Sequence, residues 1–428
     1  MKNTMIVISD YTEGEPVVAS VRFEGLMRHF QEQYRLVVIS DGKHGARPSR
    51  FSNIHLAYAS PVSSFTQTLK DGENAVRKHP LKDRAEKLLR NKWVLSAWRN
   101  YRYSRFKFVR INPALFRQLD QLMEQQEIQA VFVTVPDVYG LYILDYIKAK
   151  CPGVPAIIEI RDIINHSIGE GHPRLTYRLA EAKLARLADG VVAVSQGIVR
   201  HYQSGTDRIP VVLIKNGFDD TQFTDCRYLP FTSGPPESLS LVHLGSIYKG
   251  RNLKSLIEGL RAYHLQSGVR IRFDLIGLLD QQAYEDLHSV DLTGIGVNVR
   301  VLGSMDHEKA VQRLKEADIA VILTHPRGSD YAIPGKTFEY IGACKPILAV
   351  TRDPELISLV DGRYGECCAH DAEAVASGMN RVIDGHYDFS DRGRYSRSRQ
   401  AQCLLDFIGD ISRVAQGERT FRAPRPLP

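Results

Sequence analysis

Apolar runs of four to six residues recur along the chain, and segments with helical periodicity separate them. The runs lie at 5–8, 36–39, 130–134, 156–160, 191–194, 211–214, 239–244, 271–276, 299–302, 319–323 and 346–350. Because they are apolar on both faces, they predict strands that are buried on both sides of a parallel sheet. Leu253, Leu256, Ile257 and Leu260 recur at helical spacing behind Asn252, which predicts a helix with an asparagine N-cap.

Strand and helix patterns alternate in two successive series, which predicts an α/β protein with two domains. We expect an N-terminal domain at 1–218 and a second domain at 239–388, joined by a polar segment that contains prolines. A helical segment is expected at 389–414, and the proline-rich residues 415–428 are predicted to be a disordered tail. The length of 428 residues agrees with two domains, since a single hydrophobic core rarely grows so large.

The composition is that of an ordinary soluble globular protein. The six cysteines are scattered without a CxxC pair, which favours reduced thiols in the cytosol, and the histidines lack metal-ligand spacing. We therefore predict no metal and no other cofactor. No apolar run approaches the roughly 20 residues that span a bilayer, and the first run is too short for a signal peptide. A cytoplasmic protein is expected, either free or peripheral on the inner face of the membrane.

One segment, 70–110, differs from the rest because it is strongly basic and aromatic. It carries thirteen basic residues against four acidic ones, with Trp93, Trp98, Tyr101 and Phe106 among them. Such a pattern suits an anionic membrane surface. A solvated insertion whose aromatic residues pack on the first domain is equally compatible, whereas a nucleic-acid partner is not expected.

Candidate functional residues follow the ends of the predicted strands, where ligands bind in doubly wound sheets. Arg161 and Asp162 follow 156–160, Gly245 and Ser246 follow 239–244, and Ser304 follows 299–302. Glycines let a ligand approach the backbone closely. The nearby cations Lys249, Arg251 and Lys336 suit a diphosphate. The chain contains no GxGxxG after the first strand, no phosphate-binding P-loop and no GxSxG, so dinucleotide-dependent, P-loop and α/β-hydrolase chemistries are disfavoured.

In order along nearly the whole chain, five motifs resemble those of family 4 glycosyltransferases. They are "IIEIRD" (157–162), "IKNGFD" (214–219), "HLGSIYKGRN" (243–252), "VRVLGSMDHEKAVQRLKEADIAVIL" (299–323) and "IPGKTFEYIGACKPILAV" (333–350). The resemblance implies a GT-B fold, in which two Rossmann-like doubly wound domains face each other across a cleft. It also implies a nucleotide sugar on the second domain, an acceptor on the first, transfer with retention, and no required metal.

The resemblance assigns roles to the residues of the last motif. Glu339 matches the glutamate that accepts hydrogen bonds from the ribose hydroxyls, and Lys336 would face the diphosphate beside Gly335 and Thr337 at the helix start. A plain Lys336–Glu339 ion pair on a solvated face is the alternative.

The loop after the first strand of the second domain receives roles by the same resemblance. At least one of Lys249 and Arg251 is expected at the phosphates, with Gly245 and Ser246 contributing backbone groups. Ser304 would border the base.

The chain also departs from the family pattern. Tyr331 stands where an earlier glutamate is common, with Asp330 beside it as a candidate to contact the sugar. Arg161 and Asp162 stand near a position where many members have histidine. Asp162 would orient the acceptor or the sugar, or else the two residues form an ion pair that closes the strand end. Arg22 would reach the cleft or lie on a helix surface.

These features predict a glycosyltransferase that uses a UDP- or GDP-sugar and a glycan or lipid-linked acceptor in surface polysaccharide biosynthesis, such as that of lipopolysaccharide or capsule. The candidate catalytic residues are Asp162, Arg161 and Asp330. Two alternatives share the architecture: an isomerase similar to nucleotide-sugar 2-epimerases, and a non-catalytic partner protein that has lost donor binding. The sequence leaves the donor sugar, the acceptor and the linkage open.

Overall fold

The computed structural model describes most of the chain. The described residues are 2–15, 18–42, 48–61, 91–135, 138–164, 173–203, 209–231, 236–248, 250–326, 333–415 and 417. Lys249, Asp330 and Tyr331 lie outside them, as do 70–90 of the basic segment and, except for Ala415 and Gly417, the predicted tail.

The described residues fall into two compact units. The first comprises those of Met1–Val194, Ile198–Ile214 and Ala401–Pro428, and the second those of Ser195–Gly197 and Lys215–Gln400.

Strands and helices alternate through the first unit. Its elements are β1 (Asn3–Ser9), α1 (Val18–Gln33), β2 (Tyr34–Asp41), β3 (Ile54–Tyr58), α2 (Lys92–Arg102), α3 (Arg105–Ile111), α4 (Pro113–Gln125), β4 (Ile128–Val135), α5 (Val138–Lys150), β5 (Ala156–Ile160), α6 (Arg174–Leu187), β6 (Gly190–Ala193), α7 (Gln196–Gln203) and β7 (Val211–Leu213). The seven strands form a parallel sheet in the order β3-β2-β1-β4-β5-β6-β7. The order reverses between β1 and β4, as in doubly wound sheets.

The second unit repeats this alternation. Its elements are β8 (Ser238–Leu244), α8 (Leu253–Ser267), β9 (Arg270–Ile276), α9 (Gln281–His288), β10 (Val297–Gly303), α10 (His307–Glu316), β11 (Ile319–Leu323), α11 (Lys336–Gly342), β12 (Ile347–Val350), α12 (Pro354–Val360), β13 (Gly365–Cys368) and α13 (Ala372–Asp384). The strands form a parallel sheet in the order β10-β9-β8-β11-β12-β13, which places the reversal between β8 and β11. The predicted α/β class with doubly wound sheets is confirmed.

The last helix, α14 (Arg397–Ala415), begins in the second unit and packs into the core of the first. Its Leu404, Phe407 and Ile408 are buried in the same apolar cluster as Met5 of β1. Phe407 lies so close to Gly190 that a Cβ there would approach its ring to 2.8 Å. The apolar stripe of α14 therefore stabilises a sheet that begins almost 400 residues earlier in the chain.

Arg22 of α1 lies inside the first unit. Its Nε and Nη2 donate to Glu159 Oε1 at 2.9 and 2.7 Å, and Nη2 also donates to the carbonyl oxygen of Ile214. Both side chains are buried. The expectation of a helix-surface arginine is therefore wrong, because α1 turns this face toward the polar residue at the end of β5.

The predicted N-cap of α8 is confirmed, and it carries a prediction. Asn252 adopts a left-handed conformation with φ of 60°, and its side chain accepts from the N–H of Ser255. We expect Asn252→Ala to lower stability by about 2 kcal/mol, since alanine loses the cap and is strained at positive φ. Asn252→Gly keeps the conformation and should cost only part of this. Thermal midpoints should therefore fall in the order wild type, glycine, alanine, and the reverse order of the two variants would contradict this reading.

Candidate functional site

Three neighbouring strands of the second unit end in glycines whose φ angles are positive. Gly245, Gly277 and Gly303 follow or end β8, β9 and β10 with φ of 101°, 143° and 70°. The Gly277 N–H donates to the Gly303 carbonyl at 2.9 Å, and a Cβ on Gly277 would lie only 2.4 Å from the Gly245 carbonyl carbon. Glycine is therefore required for the loops after β8 and β9 to pack this closely.

Lys336, the first residue of α11, is held against the end of β8. Its Nζ donates to His243 Nε2 at 2.8 Å and to the Leu244 carbonyl at 2.6 Å. His243 is fully buried, and its Nδ1 lies 3.0 Å from the Val321 carbonyl, which can only accept. The proton of the neutral ring therefore sits on Nδ1, and Nε2 accepts from Lys336.

The surroundings of Lys336 oppose its positive charge. Desolvation by burial, followed by the charge of Arg251, holds the pKa of Lys336 well below its ordinary value. Burial likewise lowers the pKa of His243, with Lys336 adding to the effect. An anion bound beside Lys336 would restore its pKa, because an opposite charge stabilises the protonated amine.

Arg251 supplies a second cation in the loop after β8. Its guanidinium carbon lies 4.6 Å from the ring centroid of Tyr248, and Nη1 donates to the Ser246 carbonyl at 3.2 Å. Nε lies 3.4 Å from His325 Nε2, in the loop after β11. Desolvation lowers the pKa of Arg251 as well. Within the described part of the chain no carboxylate forms an ion pair with Arg251 or Lys336. The charge of Glu339, one turn from Lys336, favours the protonated amine without such a pair.

Glu339 lies one turn after Lys336 but pairs with other residues. His307 Nε2, at the start of α10, lies 2.8 Å from Glu339 Oε1, and Arg397 Nη2 lies 3.7 Å from the same oxygen. No described residue donates a hydrogen bond to Oε2. The hydrogen bond with Glu339 raises the pKa of His307. The alternative of a solvated Lys336–Glu339 pair is therefore wrong.

The other residues predicted in the second unit occupy different environments. Ser246 Oγ accepts from the Leu278 N–H at 3.2 Å and so ties the loops after β8 and β9 together. Ser304 is exposed just after β10, and Gly335 directly precedes α11. Thr337 is completely buried, and its hydroxyl has no hydrogen-bond partner among the described residues. Its predicted role at the diphosphate stays a prediction.

Arg161 and Asp162 belong to the first unit, directly after β5. The Arg161 N–H donates to the Val135 carbonyl at 3.3 Å, while its buried Nε and Nη2 have no hydrogen-bond partner among the described residues. Asp162 is exposed. Within the described residues no ion pair joins the two side chains.

Sequence reasoning missed His243, His307 and Arg397. A histidine inside the apolar run of β8 was a usable signal, because a buried polar side chain requires a partner. His307 lies only three residues beyond Ser304, and its place in the same loop was the available signal. Arg397 gave no signal, since it is far from Glu339 in the chain. Across the described ranges, no group of three or more potential metal ligands occurs.

Comparisons with known proteins bear on the fold. No protein-family model matches the chain, and no curated protein matches it in sequence. Solved structures do match along nearly all of it. HepE of Anabaena in complex with UDP-glucose is 14% identical with a TM-score of 0.54, over 97% of this chain and 98% of its own. The lipopolysaccharide outer core galactosyltransferase WaaB is 13% identical with a TM-score of 0.58, over 96% and 99%.

A trehalose-6-phosphate synthase, studied for glycosyl transfer with retention, is 12% identical with a TM-score of 0.59, over 95% of this chain and 99% of its own. These neighbours are GT-B glycosyltransferases. This chain has the GT-B fold. At such low identities the likeness carries the fold and no more, so the activity rests on the site itself.

Proposed function

We propose that this chain is a glycosyltransferase that transfers a sugar from a UDP- or GDP-sugar to a glycan or lipid-linked acceptor. The observation that carries the proposal is the pair of cations, Lys336 and Arg251, at the reversal of strand order in the second sheet. Neither forms an ion pair with a described carboxylate, and Glu339 lies one turn from Lys336. Ligands of doubly wound sheets bind at this reversal. A family 4 enzyme that acts with retention is the finer form of the proposal, and it rests on the sequence motifs.

The two cations suit the diphosphate of such a donor. An ammonium has three N–H donors, and two of those on Lys336 are engaged with His243 and Leu244, which leaves one for a phosphate oxygen. The guanidinium of Arg251 adds further charged donors, and its contacts with the Tyr248 ring and the Ser246 carbonyl hold it in place. When the bond from the anomeric carbon to the diphosphate breaks, both electrons stay on the leaving oxygen, and fixed cations stabilise that charge. We therefore expect no metal requirement.

Glu339 suits the ribose of the same nucleotide. His307 and Arg397 both approach Oε1, which leaves Oε2 to accept from ribose hydroxyls. Hydrogen bonds to a carboxylate are among the stronger ones, so this contact would contribute substantially to donor affinity. The candidate roles of Gly245, Ser246, Lys249 and Ser304 at the phosphates and base belong to the same proposal.

The acceptor side is proposed on less direct grounds. The new glycosidic bond forms between the acceptor oxygen and the anomeric carbon, and the hydroxyl proton must leave. Asp162, Arg161 and Asp330 remain the candidates to orient the acceptor or the sugar. A role in surface polysaccharide biosynthesis is proposed from the sequence motifs, and the name of one neighbour, a lipopolysaccharide outer core galactosyltransferase, agrees with it. No helix within the described ranges is long and apolar enough to cross a membrane. The proposed cytoplasmic, peripheral location rests on the scattered cysteines and the basic, aromatic segment of the sequence.

A binding screen with UDP, GDP and their sugars tests this function. A nucleotide at about 100 times its Kd should stabilise the protein by about 2.7 kcal/mol, visible as a rise in thermal midpoint. No response to any nucleoside diphosphate would overturn the proposal and favour a non-catalytic partner. Incubation with the bound nucleotide sugar alone then separates the remaining alternative, because a 2-epimerase-like enzyme converts its substrate without an acceptor.

Donor affinity should fall as the pH rises. His307, whose pKa Glu339 raises, is protonated below pH 6.5 and loses its charge at higher pH; Arg397 opposes and Asp219 favours that charge. Burial and the charge of Arg251 hold the pKa of Lys336 well below its ordinary value, so it loses its proton well before pH 10.5. Both losses weaken the attraction for a diphosphate, so we expect two steps below about pH 10.5, that of His307 lying above pH 6.5, each about three- to tenfold in Kd.

Two variants separate the steps. Each variant should abolish one step, His307→Gln that of the imidazole and Lys336→Met that of the amine. His288→Gln, at an exposed histidine, serves as a control. A nucleotide sugar is the appropriate ligand, because its diphosphate has no terminal phosphate that titrates near pH 6. A pH profile that stays unchanged in both variants would contradict these assignments.

A further inference from the structure

We propose that α2, α3 and α6 together present a face that binds an anionic lipid membrane, and we call it the aromatic-basic face. It comprises Lys92, Trp93, Trp98, Tyr101, Phe106, Arg110, Arg174, Leu175, Arg178 and Leu179. The basic and aromatic sequence pattern covers only 70–110, and it is compatible both with membrane contact and with packing on the first domain. The proposal does not depend on the proposed function, since it concerns the first unit.

One side of α2 and α3 is fixed to the first unit. Phe108 is completely buried and stacks on Tyr139 at 5.0 Å, and Tyr103 stacks on the same ring at 5.8 Å. The hydroxyls of Tyr139 and Tyr142 donate to the carbonyls of Arg102 and Tyr103. The junction between the two helices is therefore held by packing and hydrogen bonds. Tyr103 and Phe108 therefore pack on the first unit, as the alternative to membrane contact predicts for the aromatic residues of this segment.

The other side leaves large aromatic residues in solvent. Trp93 is 76% exposed and Phe106 67% exposed, and Trp98 and Tyr101 are exposed beside each other with ring centroids 6.1 Å apart. Helix α2 contains no buried residue at all. Several large apolar side chains exposed together are uncommon on a protein that acts alone and indicate a binding surface.

Helix α6 continues this surface. The N–H and hydroxyl of Thr176 both donate to Asn100 Oδ1 at 2.9 Å, which joins α6 to α2. Leu175 and Leu179, one turn apart on α6, are 61% and 59% exposed. Aliphatic side chains from a second helix thus extend the aromatic surface of α2.

The charge of the aromatic-basic face indicates which class of partner it binds. Residues 91–111 contain six basic residues and no acidic one, and Arg174 and Arg178 are exposed on α6. Aromatic residues and arginine occur at protein interfaces as well, but the centres of those interfaces contain few charges. A run of six basic residues without an acidic one, beside exposed tryptophans, is typical of the membrane–water interface. Each basic residue near an anionic membrane strengthens binding about fivefold, which corresponds to about 1 kcal/mol. An anionic lipid surface therefore fits better than a protein or a nucleic acid.

The tryptophans make this face directly measurable, because Trp93 and Trp98 are the only two in the chain. With the full-length protein, vesicles that contain phosphatidylglycerol should shift the tryptophan emission to the blue, and brominated acyl chains should quench it. Vesicles of phosphatidylcholine alone should do neither. High salt should weaken binding, since it screens the basic residues.

Two variants that retain both reporters test the face. Leu175→Ser with Leu179→Ser should weaken vesicle binding at least tenfold, whereas Leu265→Ser, an equally exposed leucine of the second unit, should not. Replacing Lys92, Arg110, Arg174 and Arg178 by glutamine should weaken it by a hundredfold or more. The matched control replaces Arg270, Arg272, Lys309 and Arg313, all exposed cations of the second unit.

Thermal midpoints confirm that each variant is folded. The proposal is overturned by absence of binding to anionic vesicles, by binding without a change in tryptophan emission, or by equal losses in the face and control variants. Each of these results leaves the nucleotide-binding proposal untouched, because that site is assayed without lipid.

Discussion

Replacing Lys336 by methionine is expected to reduce turnover of the nucleotide sugar by about 10²- to 10³-fold. Methionine has nearly the length of lysine but carries no charge, so the leaving diphosphate loses the cation that sits 2.6 Å from the Leu244 carbonyl at the end of β8. The loss should fall mainly on kcat, because charge on the leaving oxygen grows in the transition state. Steady-state kinetics with the donor identified by binding measures the effect.

The same change also removes a donor from His243 and from the Leu244 carbonyl. Leaving these buried acceptors unpaired costs about 1–3 kcal/mol of stability, so the thermal midpoint of the variant must be measured beside its kinetics. Lys309→Met, at an exposed lysine of the second unit, is the matched control. Full turnover in a folded Lys336→Met protein would show that Lys336 does not contribute to the reaction.

Glu339→Gln is expected to weaken binding of the nucleoside diphosphate by about tenfold to a hundredfold. Glutamine preserves the size of the side chain, but its oxygen is neutral and its NH₂ cannot accept from a hydroxyl. The decisive comparison uses the 2′-deoxy nucleotide. The wild type should bind the ribonucleotide more tightly than the deoxy form, and the variant should lose most of this preference, as a double-mutant cycle would detect.

A control for Glu339 guards against an indirect effect. His307 and Arg397 lose their carboxylate partner in Glu339→Gln, and the change could alter the site electrostatically. His307→Gln keeps the carboxylate and should therefore retain the preference for ribose. Equal weakening of ribo- and deoxynucleotides by Glu339→Gln would contradict a ribose contact.

The fold was largely predictable from sequence because buried parallel strands give continuous apolar runs. The runs at 239–244 and 319–323 correspond to β8 and β11. The two strands that were missed, β3 and β13, both lie at sheet edges. β3 mixes His55 with apolar residues, and β13 reads Gly-Glu-Cys-Cys. An edge strand has one neighbour and less buried surface, so its sequence carries a weaker signal. The other two edge strands, β7 and β10, were still recognised because several valines mark them.

The site was predictable only where its residues are close in sequence. Lys336 and Glu339 were identified together because they share one turn of one motif. Their partners could not be, because those contacts depend on strand order. His243 of β8 reaches the Val321 carbonyl because β11, 78 residues later, is its neighbour in the sheet. Arg397 lies 58 residues after Glu339 in the chain, and the two side chains meet because α14 begins beside Glu339 in the folded protein.

Calorimetric titration with matched mono- and diphosphates, UDP against UMP and GDP against GMP, tests the site most directly. Lys336 and Arg251 should attract the second phosphate. We therefore expect the diphosphate of the preferred base to bind at least about tenfold more tightly than its monophosphate. That advantage should shrink in Lys336→Met. Equal affinity for the two nucleotides in the wild type would contradict a diphosphate site at this edge of the sheet.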